Sequence, residues 1–177
     1  MFRFQIREQN ICTINCIFWR LGEILKKCIV AGVLIISKNG KKILLVKHRK
    51  LGIWIYPGGH IEENENPLEC AIRESKEETG ASFEILSTSD FTVDAVSARS
   101  TPQPLVLMNE LVPYSEGPHE HFDMIYLGKA TSSEFKNNEE SSDCKWVDET
   151  EIEGLETFSN VKEIIKFGFK EFRRIEK

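Results

Sequence analysis

The sequence predicts an α/β or α+β sandwich, in which helices pack on a β-sheet, folded as one domain with terminal extensions. Strand-like apolar segments follow one another through the middle of the chain, and segments with helical periodicity lie before, between and after them. No internal repeat or long linker divides the chain. With 177 residues, of which 41% are hydrophobic, the chain can bury one sizeable core.

Residues 1–27 are expected to form a helical extension, because apolar residues recur there at helical spacing. These residues are Ile14, Ile17, Phe18, Leu21, Ile24 and Leu25. Thr13, Asn15 and Arg20 interrupt the run, so it is neither the roughly 20-residue apolar span of a membrane helix nor a signal sequence. The helix could pack on the domain or on a second copy of the chain, which leaves a homodimer open.

A β-hairpin is expected to open the main domain, assigned to residues 28–150. Its strands are residues 28–37 and 41–48, and the intervening Asn39 and Gly40 tolerate the positive φ angles of a tight turn. Further strands are predicted at residues 52–57, 82–87, 103–112, 121–130 and 144–148.

Residues 151–177 are predicted to contain an amphipathic helix that packs on the same domain. Its apolar face consists of Val161, Ile164, Ile165, Phe169 and Phe172. Gly168 lies inside this helix and is expected to weaken it, since glycine is a poor helix former.

The net charge of the chain limits the kinds of molecule that it can be expected to bind. A net charge of −5 and a pI near 5.5 argue against a broad basic face, and no basic stripe interleaved with aromatic residues is visible, so nucleic acid is an unfavoured partner. The basic run at residues 47–50, which includes Arg49, is either a solvated turn or a contact for an anionic ligand.

Five cysteines, at positions 12, 16, 28, 70 and 144, form an odd and scattered set. They lack the paired spacing of a zinc ribbon or of a disulfide framework. Reduced thiols, and hence a cytoplasmic protein, fit this pattern best.

The boundaries of a helix can be read from residues 66–80. Asn66 is a typical N-cap, Pro67 suits the first helical position, and Glu69 stands three residues after the cap, where it completes a capping box. Gly80 is a natural stop. Leu68, Ala71, Ile72 and Ser75 are expected to form the face of the helix that packs on the core.

Glu74, Glu77 and Glu78 lie together near the C-terminus of this helix, at positions i, i+3 and i+4. Acidic side chains there interact unfavourably with the helix dipole, and each destabilises the helix by about 0.3–1 kcal/mol. Two interpretations follow: a solvated face with Arg73 and Lys76 as partners, or a site for a hard divalent cation such as Mg²⁺, which takes carboxylate oxygens. The second gains support from the preceding glycine pair, since Gly59 allows close backbone approach and could add its carbonyl oxygen.

The segment resembles the Nudix box of MutT-like proteins, GX₅EX₇REUXEEXGU, in which U is a bulky aliphatic residue. Its seven fixed positions are filled by Gly59, Glu65, Arg73, Glu74, Glu77, Glu78 and Gly80. Ser75 and Ala81 depart from the pattern, because the family prefers larger aliphatic residues there. The box covers residues 59–81, and the surrounding strands extend the similarity over about residues 28–150.

The resemblance implies a Nudix α/β/α sandwich with a mixed sheet and an enzyme that hydrolyses a nucleoside diphosphate linked to another group, with Mg²⁺ or Mn²⁺. It further implies Glu74, Glu77 and Glu78 as metal ligands, with Gly59 as a possible carbonyl ligand. Glu65 and Arg73 would form an orienting ion pair. The general base would be Glu77, Glu78 or an acid of the later loop, for which Glu140 is the choice.

Substrate contacts are expected outside the box. His119, His121 and Asp123 would point to one face of a strand, where they would line the substrate cleft, bind zinc or make structural hydrogen bonds. Trp54 could stack a base or be buried. The substrate would be a nucleoside triphosphate, ADP-ribose or a related nucleotide. A nucleotide-sensing or protein-binding module is the alternative, although such modules commonly lose box carboxylates that this chain keeps.

Overall fold

The computed structural model describes residues 26–115, 117–136 and 143–177. Two helices, α1 (Pro67–Thr79) and α2 (Ser159–Ile175), accompany ten strands in this part of the chain. The strands are β1 (Lys26–Ile36), β2 (Lys42–Lys47), β3 (Trp54–Ile55), β4 (Gly58–His60), β5 (Phe83–Ile85), β6 (Asp94–Ala95), β7 (Ala98–Arg99), β8 (Val106–Val112), β9 (His119–Ala130) and β10 (Cys144–Asp148). A 3₁₀ helix at Glu149–Gly154 follows β10.

Eight of the described strands form one mixed sheet with the central order β10-β2-β1-β9-β5. β1 and β9 are parallel, whereas β2 and β4 run antiparallel to β1. β3 pairs with β2, and β8 pairs with β9. β6 and β7 form a separate two-stranded sheet. The predicted mixed α+β class is confirmed.

The predicted hairpin between β1 and β2 is present, but its turn is wider than a two-residue turn. Ser37 N–H donates to the carbonyl of Lys42 over 2.8 Å, which closes a four-residue loop. Within the loop Gly40 has a φ of 71°, and the side chain of Asn39 accepts a hydrogen bond from Lys41 N–H. Asn39 therefore stabilises the turn through its side chain rather than through a positive φ.

Each face of the sheet packs on one helix, because side chains alternate along the strands. Residues such as Leu34 of β1 and Leu127 of β9 join the core beneath α2, and residues such as Val33 and Tyr126 join the core beneath α1. The predicted N-terminal helix lies outside the described residues, except that Lys26 and Lys27 already belong to β1. Neither described helix is long and apolar enough to cross a membrane.

Helix α2 buries the apolar face predicted for it, from Val161 to Phe172. Gly168 has a role beyond weakening this helix. It is buried against the sheet, and a Cβ there would lie 2.6 Å from Cδ1 of Leu34. The glycine thus permits a close approach between α2 and β1, which offsets its poor helix propensity.

Phe169→Ala is expected to lower the free energy of unfolding by about 3–5 kcal/mol, since the side chain is fully buried between α2 and the sheet. Phe167, which is 40% exposed on the same helix, provides the control. Phe167→Ala should change the stability by less than about 1 kcal/mol. Urea unfolding of both variants measures the difference, and similar losses would show that α2 does not pack as described.

Candidate active site

Helix α1 begins and ends as its sequence predicts. Asn66 Oδ1 accepts hydrogen bonds from the backbone N–H groups of Leu68 and Glu69, and the Glu69 carboxylate accepts the N–H of Asn66 over 2.8 Å. At the other end Gly80 takes a φ of 60° and donates its N–H to the carbonyl of Lys76. Because both ends are capped, the acidic residues near the C-terminus belong to a well-defined last turn.

The face of α1 that packs on the sheet differs in part from the predicted one. Ala71 and Ser75 are buried as expected, but Cys70 and Thr79 complete the buried face. Leu68 and Ile72 are only half-buried. The helix is therefore rotated slightly from the predicted orientation, with small side chains against the sheet.

Arg73 links the acidic residues around α1. Its guanidinium donates two hydrogen bonds to Glu65, of 2.7 and 3.0 Å. Nη1 of the same side chain donates to Glu74 Oε1 over 3.0 Å and to Glu77 Oε2 over 2.9 Å. These two carboxylate oxygens consequently lie within about 6 Å of each other.

Glu65 and Arg73 remain charged throughout the ordinary pH range. Hydrogen bonds from the Arg73 guanidinium and from Glu62 N–H lower the pKa of Glu65 to about 2. The hydrogen bonds from Arg73 to Glu65, Glu74 and Glu77 raise the pKa of the arginine. A permanent ion pair of this kind fixes the carboxylates that surround it.

The glycine pair of β4 lies directly against the acidic helix. Gly58 N–H donates to Glu78 Oε2 over 3.0 Å. A Cβ on Gly59 would come within 2.3–2.6 Å of the carboxyl group of Glu74, so only glycine fits. The Gly59 carbonyl accepts a 3.5 Å hydrogen bond from the Cys70 thiol.

These groups suit a hard divalent cation. Glu74, Glu77 and Glu78 supply carboxylate oxygens from one end of one helix, and these are the ligands that Mg²⁺ and Mn²⁺ prefer. The glycine at position 59 leaves the Glu74 carboxylate the space that a larger residue would take. The residues present therefore fit a Mg²⁺ or Mn²⁺ site.

A cavity of about 540 Å³ opens beside β4. Its wall includes Gly58, which donates its N–H to Glu78, and Gly59, which lies against Glu74. Apolar and aromatic side chains line much of the rest, and they include Val30, Ile55, Tyr56, Leu111, Val112, Tyr114 and Phe158. A volume of this size suits a small-molecule ligand.

Four polar side chains meet in the lining of the cavity. The Tyr56 hydroxyl donates to Asp123 over 2.6 Å, and the Asn160 amide donates to Glu110 over 3.0 Å. Burial raises the pKa of Asp123 to about 6. Burial, together with the charge of Asp123, raises the pKa of Glu110 to about 7. The cavity thus presents hydrogen-bonding groups that can exchange protons near neutral pH.

Glu110→Gln is expected to flatten the dependence of stability on pH in protein kept free of divalent metal. The Glu110 carboxyl has an ordinary pKa of 4.5, which applies to the unfolded chain, and folding raises this pKa to about 7. Protonation of Glu110 therefore favours the folded chain. This stabilisation is complete below pH 4.5 and is lost as the pH rises to about 7, by at most a few kcal/mol. Melting temperatures from pH 4.5 to 8 measure it, with Glu134→Gln on the exposed surface as control. Equal slopes in wild type and Glu110→Gln would contradict it.

Of the residues predicted to contact the substrate, some line the cavity and others do not. His121 and Asp123 line the cavity, whereas His119, Trp54 and Arg49 are not among its lining residues. The Trp54 ring is covered by the ammonium group of Lys145, 4.1 Å from the ring centroid.

Arg49 is exposed in the turn after β2. Glu140 lies outside the described residues. The structure therefore gives no position for the predicted base of the later loop.

Several cavity residues were not identified from the sequence. Tyr56 directly precedes the segment Pro57–Gly58–Gly59, and that position was a usable signal. Glu110 and Asn160 carry no local signal, because β8 and α2 bring them together from distant parts of the chain.

Comparisons with known proteins agree with the geometry. A family model described as NUDIX domain matches residues 26–166. The m7GpppN-mRNA hydrolase NUDT17 of Xenopus laevis is 26% identical over 166 residues, which cover 85% of this chain and 53% of that protein. A provisionally named 8-oxo-dGTP diphosphatase 3 of Mycobacterium tuberculosis is 28% identical over 122 residues, which cover 66% of this chain and 49% of that protein.

One solved structure resembles this chain over nearly its own full length. The crystal structure of a NUDIX-family hydrolase from Clostridium perfringens superposes with a TM-score of 0.68 at 25% identity, and it covers 82% of this chain and 98% of that one. By contrast, the chain spans about half the length of the two curated relatives.

Proposed function

The chain belongs to the Nudix family, whose general reaction is pyrophosphate hydrolysis, and on that premise we propose that it hydrolyses a nucleoside diphosphate linked to another group, with Mg²⁺ or Mn²⁺. One observation carries the proposal. Gly58 and Gly59 of β4 line a nucleotide-sized cavity and also lie against the carboxylates of Glu78 and Glu74, respectively. A ligand in the cavity would have its phosphates next to the acidic helix.

The acidic residues have distinct parts in this proposal. Glu74, Glu77 and Glu78 would hold the cation, with the Gly59 carbonyl as a further oxygen donor. When bound, the cation would neutralise pyrophosphate oxygens and make an attacking water more acidic. Glu65 acts through Arg73, which positions Glu74 and Glu77 by direct hydrogen bonds.

A carboxylate must take the proton from the attacking water. Glu77 is the more exposed candidate, with 45% of its side chain accessible, whereas Glu78 is tied to the N–H of Gly58. Glu140 is kept as the third candidate base. Single Glu→Gln variants at the three positions distinguish them, because the base should give the largest loss in kcat and a changed pH profile.

The cavity supports a base-containing substrate. Tyr56 and Tyr114 offer aromatic surface, while Asp123, Glu110 and Asn160 offer hydrogen-bonding groups. We therefore propose a nucleoside triphosphate, ADP-ribose or a related dinucleotide as the substrate class. His121 and Asp123 would contact it from the cavity lining, and His119, Trp54 and Arg49 from positions nearer the surface.

Purified protein should be incubated with these nucleotides, with diadenosine polyphosphates and with a capped RNA oligonucleotide, in Mg²⁺, Mn²⁺ or EDTA. Mass spectrometry of the products identifies the broken bond. Cleavage of one nucleotide class that requires metal supports the proposal. Cleavage of capped RNA alone would overturn the small-nucleotide substrate, and nucleotide binding without turnover would favour the sensing module.

The cellular setting is part of the proposal. Cys28, Cys70 and Cys144 are free and buried, which suits the reducing cytoplasm. Light scattering of the purified chain distinguishes a monomer from the homodimer that the sequence leaves open.

A further inference from the structure

A second group of metal-binding side chains lies away from the acidic helix. Cys28 of β1 is the direct partner of His121 in the parallel pairing with β9, and His119 stands two residues before His121. Because paired residues and alternate residues of a strand share one face of a sheet, the three side chains point to the same side. One ligand atom from each residue lies within 4.8 Å of the other two.

The burial of these groups indicates an incomplete site. Cys28 is 9% exposed and His121 is 5% exposed. Nδ1 of His119 and Nε2 of His121 are buried and have no hydrogen-bond partner among the described residues. Buried polar atoms are normally paired, so two unpaired imidazole nitrogens beside a buried thiol call for a ligand.

We propose that Cys28, His119 and His121 bind a borderline-soft divalent cation, with Zn²⁺ as the best match. Zinc bonds of about 2.3 Å to sulfur and about 2.0 Å to nitrogen place tetrahedral ligand atoms about 3.5 Å apart, so small side-chain rotations close the site. Binding forms one sulfur–metal and two nitrogen–metal bonds, and the thiol proton passes to solvent. Three protein ligands leave a fourth position for water or a substrate group.

The site differs from the carboxylate site in chemistry and in location. Thiolate and imidazole select zinc-like ions, whereas carboxylates select Mg²⁺ and Mn²⁺. Gly59 faces Glu74, but the next residue, His60, turns its ring edge-on to His121, with 5.3 Å between centroids. The two sites therefore lie on opposite sides of β4.

Two consequences follow from this location. Asp123 is not a member of the cluster, which consists of Cys28, His119 and His121, and its carboxylate instead accepts the Tyr56 hydroxyl. His121 also lines the cavity, so a bound ion would lie at the cavity wall and hold the ends of β1 and β9 together. Zinc binding by this cluster does not require the chain to hydrolyse a nucleotide.

The test uses the full chain, stripped of metal and then titrated with Zn²⁺ or Co²⁺ alone. We expect one Zn²⁺ per chain by elemental analysis, and a near-ultraviolet charge-transfer band when Co²⁺ bonds the thiolate. Cys28→Ser and His119→Asn should each weaken Zn²⁺ binding by at least about 100-fold. Cys144→Ser, which alters a buried thiol on β10, should retain binding.

Retained Zn²⁺ affinity in Cys28→Ser, or no cobalt–thiolate band in the wild-type chain, would overturn the proposal. If Cys28→Ser fails to fold, alkylation of the wild-type chain decides: Zn²⁺ should protect Cys28 from alkylation, and equal labelling with and without Zn²⁺ would refute it. Glu77→Gln should bind Zn²⁺ normally, which separates this site from the proposed hydrolytic one.

Discussion

Glu77→Gln is expected to lower kcat by about 10²–10⁴-fold, as is typical when a catalytic carboxylate is lost. The substitution keeps the shape of the side chain and removes the charge that would bind the cation or take the proton. The fold should survive, since the side chain of Glu77 is 45% exposed and its described ion pair is with Arg73. Steady-state kinetics on the substrate found in the nucleotide panel measures the loss.

Glu63→Gln is the matched control for this variant, because Glu63 is an exposed acid in the loop before α1. It should leave kcat within about twofold of wild type. A Glu77→Gln enzyme with wild-type kcat and an unchanged metal requirement would remove Glu77 from the reaction.

Gly59→Ala is expected to lower kcat/KM by about 10²-fold or more, since a misplacement of about 1 Å at a reacting group has an effect of this size. The added methyl group would lie 2.3 Å from Cδ of Glu74, so the carboxylate must move away. Saturating Mg²⁺ should restore only part of the activity, because the ligand itself is displaced.

Gly154→Ala provides the control for the glycine substitution. A Cβ at Gly154 meets no atom within 4 Å, and this residue ends the 3₁₀ helix after β10. Kinetics and melting temperature should both stay close to wild type. Equal activity of Gly59→Ala and Gly154→Ala would mean that Glu74 does not need its present position.

Local features of this chain were predictable because the residues that cause them are adjacent in sequence. The Asn66 cap, the Gly80 stop and the spacing of Glu74, Glu77 and Glu78 act within a few residues of one another, and the structure shows both helix ends as expected. The prediction of the buried face of α1 was less accurate, because the orientation of the helix depends on how closely its small residues let it approach the sheet.

Features that depend on distant pairing could not be predicted. The parallel register of β1 and β9 places Cys28 beside His121, and no local pattern reveals which residues of two strands will be opposite each other. The same holds for the contact of Glu110 with Asn160, which joins β8 to α2. The spacing of the glutamates in the sequence predicts the acidic cluster, whereas the cavity near it could be found only from the fold.

In the proposed function, a divalent cation and a pyrophosphate complete the acidic end of α1. Crystals grown with Mn²⁺ and a non-hydrolysable nucleotide analogue test it most directly, through the anomalous signal of manganese. We expect manganese bound by Glu74, Glu77 and Glu78, with the phosphates of the analogue beside it and its base in the cavity. Bound analogue with no manganese at these carboxylates would contradict it.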